Sequence, residues 1–344
     1  MAFAPRLLAW LVSAVLAAAS LGCGSSPSAP SGAGATDFAG QFNLLWTTFD
    51  QNYSYFNYKA IDWNAIRAEF QPRATSVANQ AQFNTIAQEM LGRLHDQHVV
   101  ITGPGTTLRT YVPPYFVNWD DGVWRQYLAR GNSTARGGVV SAVINGVAYV
   151  AVTSWNPNVV GTNDLDAALD AFMDRPALIV DVRMNGGGND QIAFQFAGRF
   201  ATATTTSGFV QTRNGPNHGD FTPLQPRTFS PRGVPYTRPV VLLVGRLCLS
   251  SNESFIAAMR QLPNVTVVGD TTGGGSANPK TFTLTAGWTF TVSSWIEYLV
   301  DGQGIEDHGI APSVFVPASA ADFASGRDPV IDWALAHFTG GSNF

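Results

Sequence analysis

Val240-Val-Leu-Leu-Val-Gly-Arg-Leu-Cys-Leu-Ser-Ser-Asn-Glu253 runs from five apolar β-formers through a glycine turn to two serines and an acidic residue. Glu253 to Leu262 then reads as a helix. An apolar run without polar alternation is the signature of a strand covered on both faces. Ala177-Leu-Ile-Val-Asp181 repeats the pattern, and it too passes through a glycine turn into a helical stretch, Asp190 to Phe200. Val265-Thr-Val-Val268 is a third such run, and Leu165 to Phe172 is amphipathic. This alternation predicts an α/β fold, a sheet with helices over it. Thr281 to Ser293 alternates more and predicts a hairpin at the sheet edge.

Upstream the period changes. Phe42, Leu45, Trp46 and Phe49, then Trp63, Ile66 and Phe70, then Phe83, Ile86, Met90 and Leu94 recur at three and four, predicting a small subdomain of three helices. Asp62 can cap the second helix, and Gln71-Pro72 is expected to end it. Residues 99–160 read as strands and turns, with Asn145-Gly146 between apolar neighbours as a tight hairpin.

Residues 1–22 carry one early charge, Arg6, then the apolar run Leu7 to Leu21. That run is short for a membrane span and suits a secretory signal. Leu21-Gly22-Cys23 resembles a bacterial lipobox, with Ser20 where an aliphatic residue is usual. The expectation is an exported cell-envelope lipoprotein anchored through Cys23, facing the periplasm from the outer membrane. Residues 23–37 are a Gly/Ser/Pro-rich linker. The expected units after it are a helical subdomain over 38–98, a larger α/β domain over 99–325, and a C-terminal helix and tail over 326–344. With a net charge of -4 and no basic run, nucleic acid is excluded as a partner. Cys248, the second of two cysteines, reads as a small buried hydrophobe.

Ser250, between a buried strand and a helix, would project its hydroxyl from the sheet edge toward free N–H groups of the first helical turn. The structural alternative is a helix cap by Ser250 or Ser251. The turn Asp181-Val-Arg-Met-Asn-Gly-Gly-Gly188 can present bare N–H groups to a phosphate or an oxyanion, but it lacks the lysine and Ser/Thr of a nucleotide loop. A serine nucleophile needs a base, and five histidines are available: His95, His98, His218, His308 and His337. A metal pair of His95 and His98 lacks a third ligand at recognisable spacing.

Taken in order, the helical stretch Trp46 through Asp62-Trp63, Leu94-His-Asp-Gln-His98, Leu178 to Gly188, Leu249-Ser-Ser-Asn-Glu253, and Val268 to Gly275 with Gly304-Ile-Glu-Asp-His-Gly-Ile-Ala-Pro312 resemble the tail-specific, or C-terminal-processing, serine peptidases. The tricorn protease core belongs to the same group. The resemblance implies a mixed sheet covered by helices, a ClpP/crotonase-like catalytic core, and chemistry without cofactor or metal. Gly275 occupies the position of the lysine in the Ser–Lys branch, and Lys280 is displaced from it. The tricorn-like branch instead implies Ser250 as nucleophile, His98 as base and Glu306 as its distal carboxylate. Ser251 and Gly186 or Gly187 would hold the oxyanion, and Gln97 stands where that branch has a serine. Some 50 residues between His98 and Gly146 are short for the usual PDZ-like insertion, so a member without that module is expected. The implied substrates are peptides or unfolded proteins; an inactive relative that binds peptides or hydrophobic ligands is the alternative. No Gly-x-Ser-x-Gly surrounds Ser250, which argues against an α/β-hydrolase.

Overall fold

The computed structural model describes residues 37–340. The expected export signal, Cys23 anchor and linker therefore lie outside the described residues, apart from Asp37. Seven strands form the main sheet in the order 314–315, 265–269, 240–244, 178–181, 147–152, 139–144, 134–136. The first five are parallel to their neighbours, and the last two pairings are antiparallel. The sheet is thus mixed. Its parallel part consists of the apolar runs, for a visible reason. Leu178, Val180, Val240, Leu242 and Val244 pack into one core with the helices Thr162–Asp170, Asp190–Ala197 and Ser251–Met259. The alternate residues Ile179, Val241 and Leu243 pack into a second core with the helices Asp121–Ala129 and Pro329–Thr339. Helices on both faces leave no solvent side, and each strand leucine or valine gains about 1.5–3 kcal/mol from burial.

A fully buried Arg183 links the C-terminal helix to this sheet, meeting Asp181 at 2.7 Å and Asp328, the cap of that helix, at 2.9 Å. Paired and hydrogen-bonded on both sides, such a charge is tolerated; removing one partner costs about 3–5 kcal/mol.

The Asn145-Gly146 hairpin forms as expected. Ile144 pairs with Val147, and both turn residues take positive φ (49° and 85°), the geometry of a tight two-residue turn. The three N-terminal helices are Phe38–Asn52, Trp63–Thr75 and Gln80–Gly92, and Asp62 caps the second at 2.9 Å.

Three expectations are corrected. Pro72 does not end the second helix, which continues to Thr75: Phe70 and Ala74 stay buried, and the Thr75 hydroxyl donates to the Gln71 carbonyl at 3.0 Å. The section read as strands and turns contains the helix Asp121–Ala129, capped by Asp120. The hairpin Lys280–Thr285 with Trp288–Val292 is not on the edge of the main sheet. It joins Val100–Gly103 and Thr106–Arg109 in a separate four-stranded antiparallel sheet that shares its core with the N-terminal helices. Phe290 stacks on Phe49 at 5.7 Å, so residues from near both ends of the chain close one core. A third sheet holds Trp295–Leu299, Thr205–Thr212 and Gln225–Phe229. Among the described residues no helix is long and apolar enough to cross a membrane.

Candidate active site

Ser250 stands between the strand Val240–Val244 and the helix Ser251–Met259 with φ 57° and ψ −132°, a conformation strained for any residue with a side chain. Two backbone bonds impose it. The Ser250 N–H donates to the Gly275 carbonyl at 2.7 Å, and the Ser250 carbonyl accepts the Glu253 N–H at 2.7 Å. The side chain makes no capping bond to the helix. Ser251 does not cap it either, because its hydroxyl donates to the Gly188 carbonyl at 2.7 Å. The cap alternative is therefore not realised, and the hydroxyl is held on a sharp strand-to-helix turn. Such turns need small neighbours. Here they come from distant loops: a Cβ on Gly187 would lie 2.8 Å from Ser250 Cβ, and one on Gly273 would lie 2.5 Å from Leu249 Cδ2. Gly187 and Gly188 both take positive φ (105° and 141°), which only glycine adopts freely.

Cys248, on the same turn, is buried, and that burial pushes its thiol up, away from the reactive thiolate. The Ser251 N–H opens its helix and has no intrahelical acceptor. The Gly187 N–H, one of the two alternative glycine donors to an oxyanion, is already given to Asn185 Oδ1 at 2.8 Å. Gly186 has open space beside it.

His98 arrives from the N-terminal side on a loop pinned at both backbone groups. Its N–H donates to Asp96 Oδ1 at 2.8 Å, and its carbonyl accepts the Thr291 hydroxyl at 2.6 Å. Asp96 Oδ2 accepts the Ser293 hydroxyl at 2.6 Å, so this buried aspartate is itself fixed. The ring of His98 lies against Gly275: a Cβ there would stand 3.3 Å from Cε1 and 3.5 Å from Nδ1. Ser250 bonds the carbonyl of that same glycine, so histidine and serine flank one residue. A lysine at 275 would push into the ring. Burial holds the His98 pKa below its ordinary 6.5, partly offset by the Asp96 charge and reinforced by Lys59. Nδ1 is buried and has no hydrogen-bond partner.

Glu306 is buried, but its carboxylate does not bond His98. Oε1 takes the Lys59 ammonium at 2.7 Å, and Oε2 takes the Ser276 N–H at 3.2 Å. Burial drives its pKa well up, with Asp96 adding to the rise and Lys59 opposing it. Gln97 is spent on structure, donating to the Gly273 carbonyl at 2.9 Å and accepting from Tyr115 at 3.3 Å. His308 is exposed, with Nδ1 on the Glu306 carbonyl at 2.9 Å. His95 stacks on Tyr111, with ring centroids 4.9 Å apart.

Sequence reasoning missed two functional neighbours. Glu253 accepts the Gly274 and Gly275 N–H groups at 3.0 and 2.8 Å, together with the Thr272 hydroxyl. Its place three residues after Ser250 was the available signal. Lys59 carried none, since a lone lysine in a helical region reads as a surface residue.

Peptidase family S41 matches residues 146–316, and the tricorn protease C1 domain matches residues 35–92. A presumed peptidase of known structure from Parabacteroides merdae ATCC 43184 is 31% identical with a TM-score of 0.78, covering 86% of this chain and 95% of that one. Tricorn protease homolog 1 of Streptomyces coelicolor is 30% identical over 165 residues, which is 47% of this chain and 14% of that protein. The chain thus spans a small part of the length of the curated tricorn relatives. The crystal structure of mature CPAF, 11% identical with a TM-score of 0.66, shares the fold. Fold and sequence together place the chain in the tricorn-related peptidase superfamily. The chain belongs to peptidase family S41.

Proposed function

We propose that the protein is a serine peptidase that cleaves peptides or unfolded proteins of the cell envelope. Ser250 is the nucleophile, His98 the general base and Glu306 the distal carboxylate. The observation that carries this reading is Ser250 itself, strained at φ 57° and uncapped, with the His98 ring across Gly275. A neutral His98 takes the hydroxyl proton as Ser250 attacks the carbonyl carbon, and returns it to the leaving amine. The Ser251 N–H, with a second N–H from Gly186, stabilises the oxyanion. In the resting structure no hydrogen bond joins His98 to Ser250 or to Glu306. Catalytic bonds are often long in the free enzyme and tighten with substrate. The chain then acts without a tail-capturing PDZ module. Export and lipidation at Cys23 place the domain on the periplasmic side of the outer membrane.

The test is labelling of the purified domain with a fluorophosphonate probe, followed by peptide mapping. Ser250 is the expected adduct site, and Ser250→Ala should abolish both adduct and hydrolysis of an unstructured protein while Ser251→Ala keeps the adduct. An unlabelled, folded wild type that still binds peptides would support the inactive-relative reading instead.

A further inference from the structure

The Lys59 side chain is 6% exposed, and its ammonium faces four oxygens: the Leu94 and His95 carbonyls, each at 3.2 Å, Glu306 Oε1 at 2.7 Å and Asp307 Oδ1 at 3.0 Å. The Tyr55 ring lies 5.4 Å away. Three N–H donors are shared among those four acceptors. The acceptors fall into two groups far apart in sequence. Leu94 and His95 lead into the loop that carries His98; Glu306 and Asp307 sit on the loop near the other end of the chain. A buried ammonium is costly unless it is paired, so a lysine here has a specific reason to stay.

We infer that Lys59 is a positioning residue that clasps the His98 loop to the Glu306 loop and keeps the buried Asp96 and Glu306 carboxylates compensated by a cation. The inference rests on the proposed roles of His98 and Glu306. The charged groups facing Lys59 are Glu306, Asp96 and Asp307, and these hold its pKa up although burial alone would lower it. Those acting on His98 are Asp96, which favours the charged ring, and Lys59, which disfavours it. Removing the cation should therefore raise the His98 pKa and loosen its loop.

The experiment compares Lys59→Met, the milder Lys59→Gln, which keeps an amide donor, and Lys59→Arg, which keeps the cation. Each is first checked for folding by circular dichroism. His98 titration is followed by imidazole NMR, with the resonance assigned by its loss in His98→Gln, and kcat/KM is measured against pH. The neutral variants should lose about 10- to 10²-fold in kcat/KM, raise the His98 titration midpoint and move the acid limb upward with it. Lys59→Arg should restore the midpoint. A role confined to stability would lower activity without moving the midpoint, and an unmoved midpoint in a folded neutral variant overturns the inference. The NMR readout needs no turnover. An inactive, unlabelled wild type with the midpoint shift intact would sink the peptidase reading and leave the clasp standing.

Discussion

Glu253 and Glu306 are both buried, and both hold the same short loop. Glu253 takes the N–H groups of Gly274 and Gly275, and Glu306 takes that of Ser276, so three consecutive amides end on carboxylates. The difference lies in what balances each charge. Glu253 meets only neutral donors, the two amides and the Thr272 hydroxyl, whereas Glu306 meets the ammonium of Lys59. The first arrangement fixes a shape: it sets the Gly275 carbonyl that receives the Ser250 N–H. The second ties a buried carboxylate to a cation, although burial still drives its pKa well up. Under the proposed roles, positioning the nucleophile and supporting the base use the same residue type with different partners.

The largest effects test whether the chemistry lies between these two anchors. His98→Ala should cost about 10³-fold or more in turnover, since the serine loses its base while the loop keeps both carboxylates. Retained activity in that variant, with loss in His308→Ala or Lys280→Ala, would falsify the assignment of the base. Glu306→Gln should cost about 10²-fold, because the amide has one acceptor oxygen where the carboxyl group serves both the Lys59 ammonium and the Ser276 N–H. Asp96→Asn sharpens the comparison, since Asp96 is the carboxylate whose charge acts on the His98 ring. If Asp96→Asn cost far more kcat than Glu306→Gln, the distal carboxylate would be Asp96.

A smaller effect is the pH profile. A general base must be neutral, and burial holds the His98 pKa below 6.5. The acid limb of kcat/KM in the wild type should therefore lie below pH 6.5, as activity falls when the ring takes its proton. A limb above 6.5 would point to a carboxylate dominating the ring.

Several of these features were legible before any coordinates. The interior strands declared themselves because helices cover both faces, so no polar alternation was needed at 178–181 or 240–244. The Asn145-Gly146 turn was legible because its two residues suit positive φ. The helix Asp121–Ala129 was not, since nine residues in a glycine- and aspartate-rich stretch give only two turns of apolar pattern. The four-stranded sheet was hidden for another reason: its strands come from 100–109 and 280–292, and nothing local says they pair. Ser250, His98 and Glu306 were readable as motifs in order, whereas Lys59 is meaningful only through partners 35 to 248 residues away.

Glu253 gives the smallest and most discriminating test, because two physical effects compete at one carboxyl. Three donors favour the ionised form; burial opposes it and prevails, pushing the pKa up to about 7 from an ordinary 4.5. A raised carboxyl pKa means that the folded protein holds a proton which the unfolded chain has released. Its contribution to stability is then fully present below about pH 4.5 and is lost as pH rises through about 7. Glu253→Gln does not titrate. Its amide group turns one N–H₂ toward donors that need an acceptor, a pH-independent loss of about 1–3 kcal/mol. Denaturant unfolding of both proteins at pH 5 and pH 7.5 separates the two contributions. The advantage of the wild type should be greatest at pH 5 and shrink at pH 7.5, where the buried charge must form. An advantage that stays constant or grows with pH would mean that the three donors outweigh burial and that Glu253 is ionised like an ordinary carboxylate. In that case the two anchors would differ less than their partners imply.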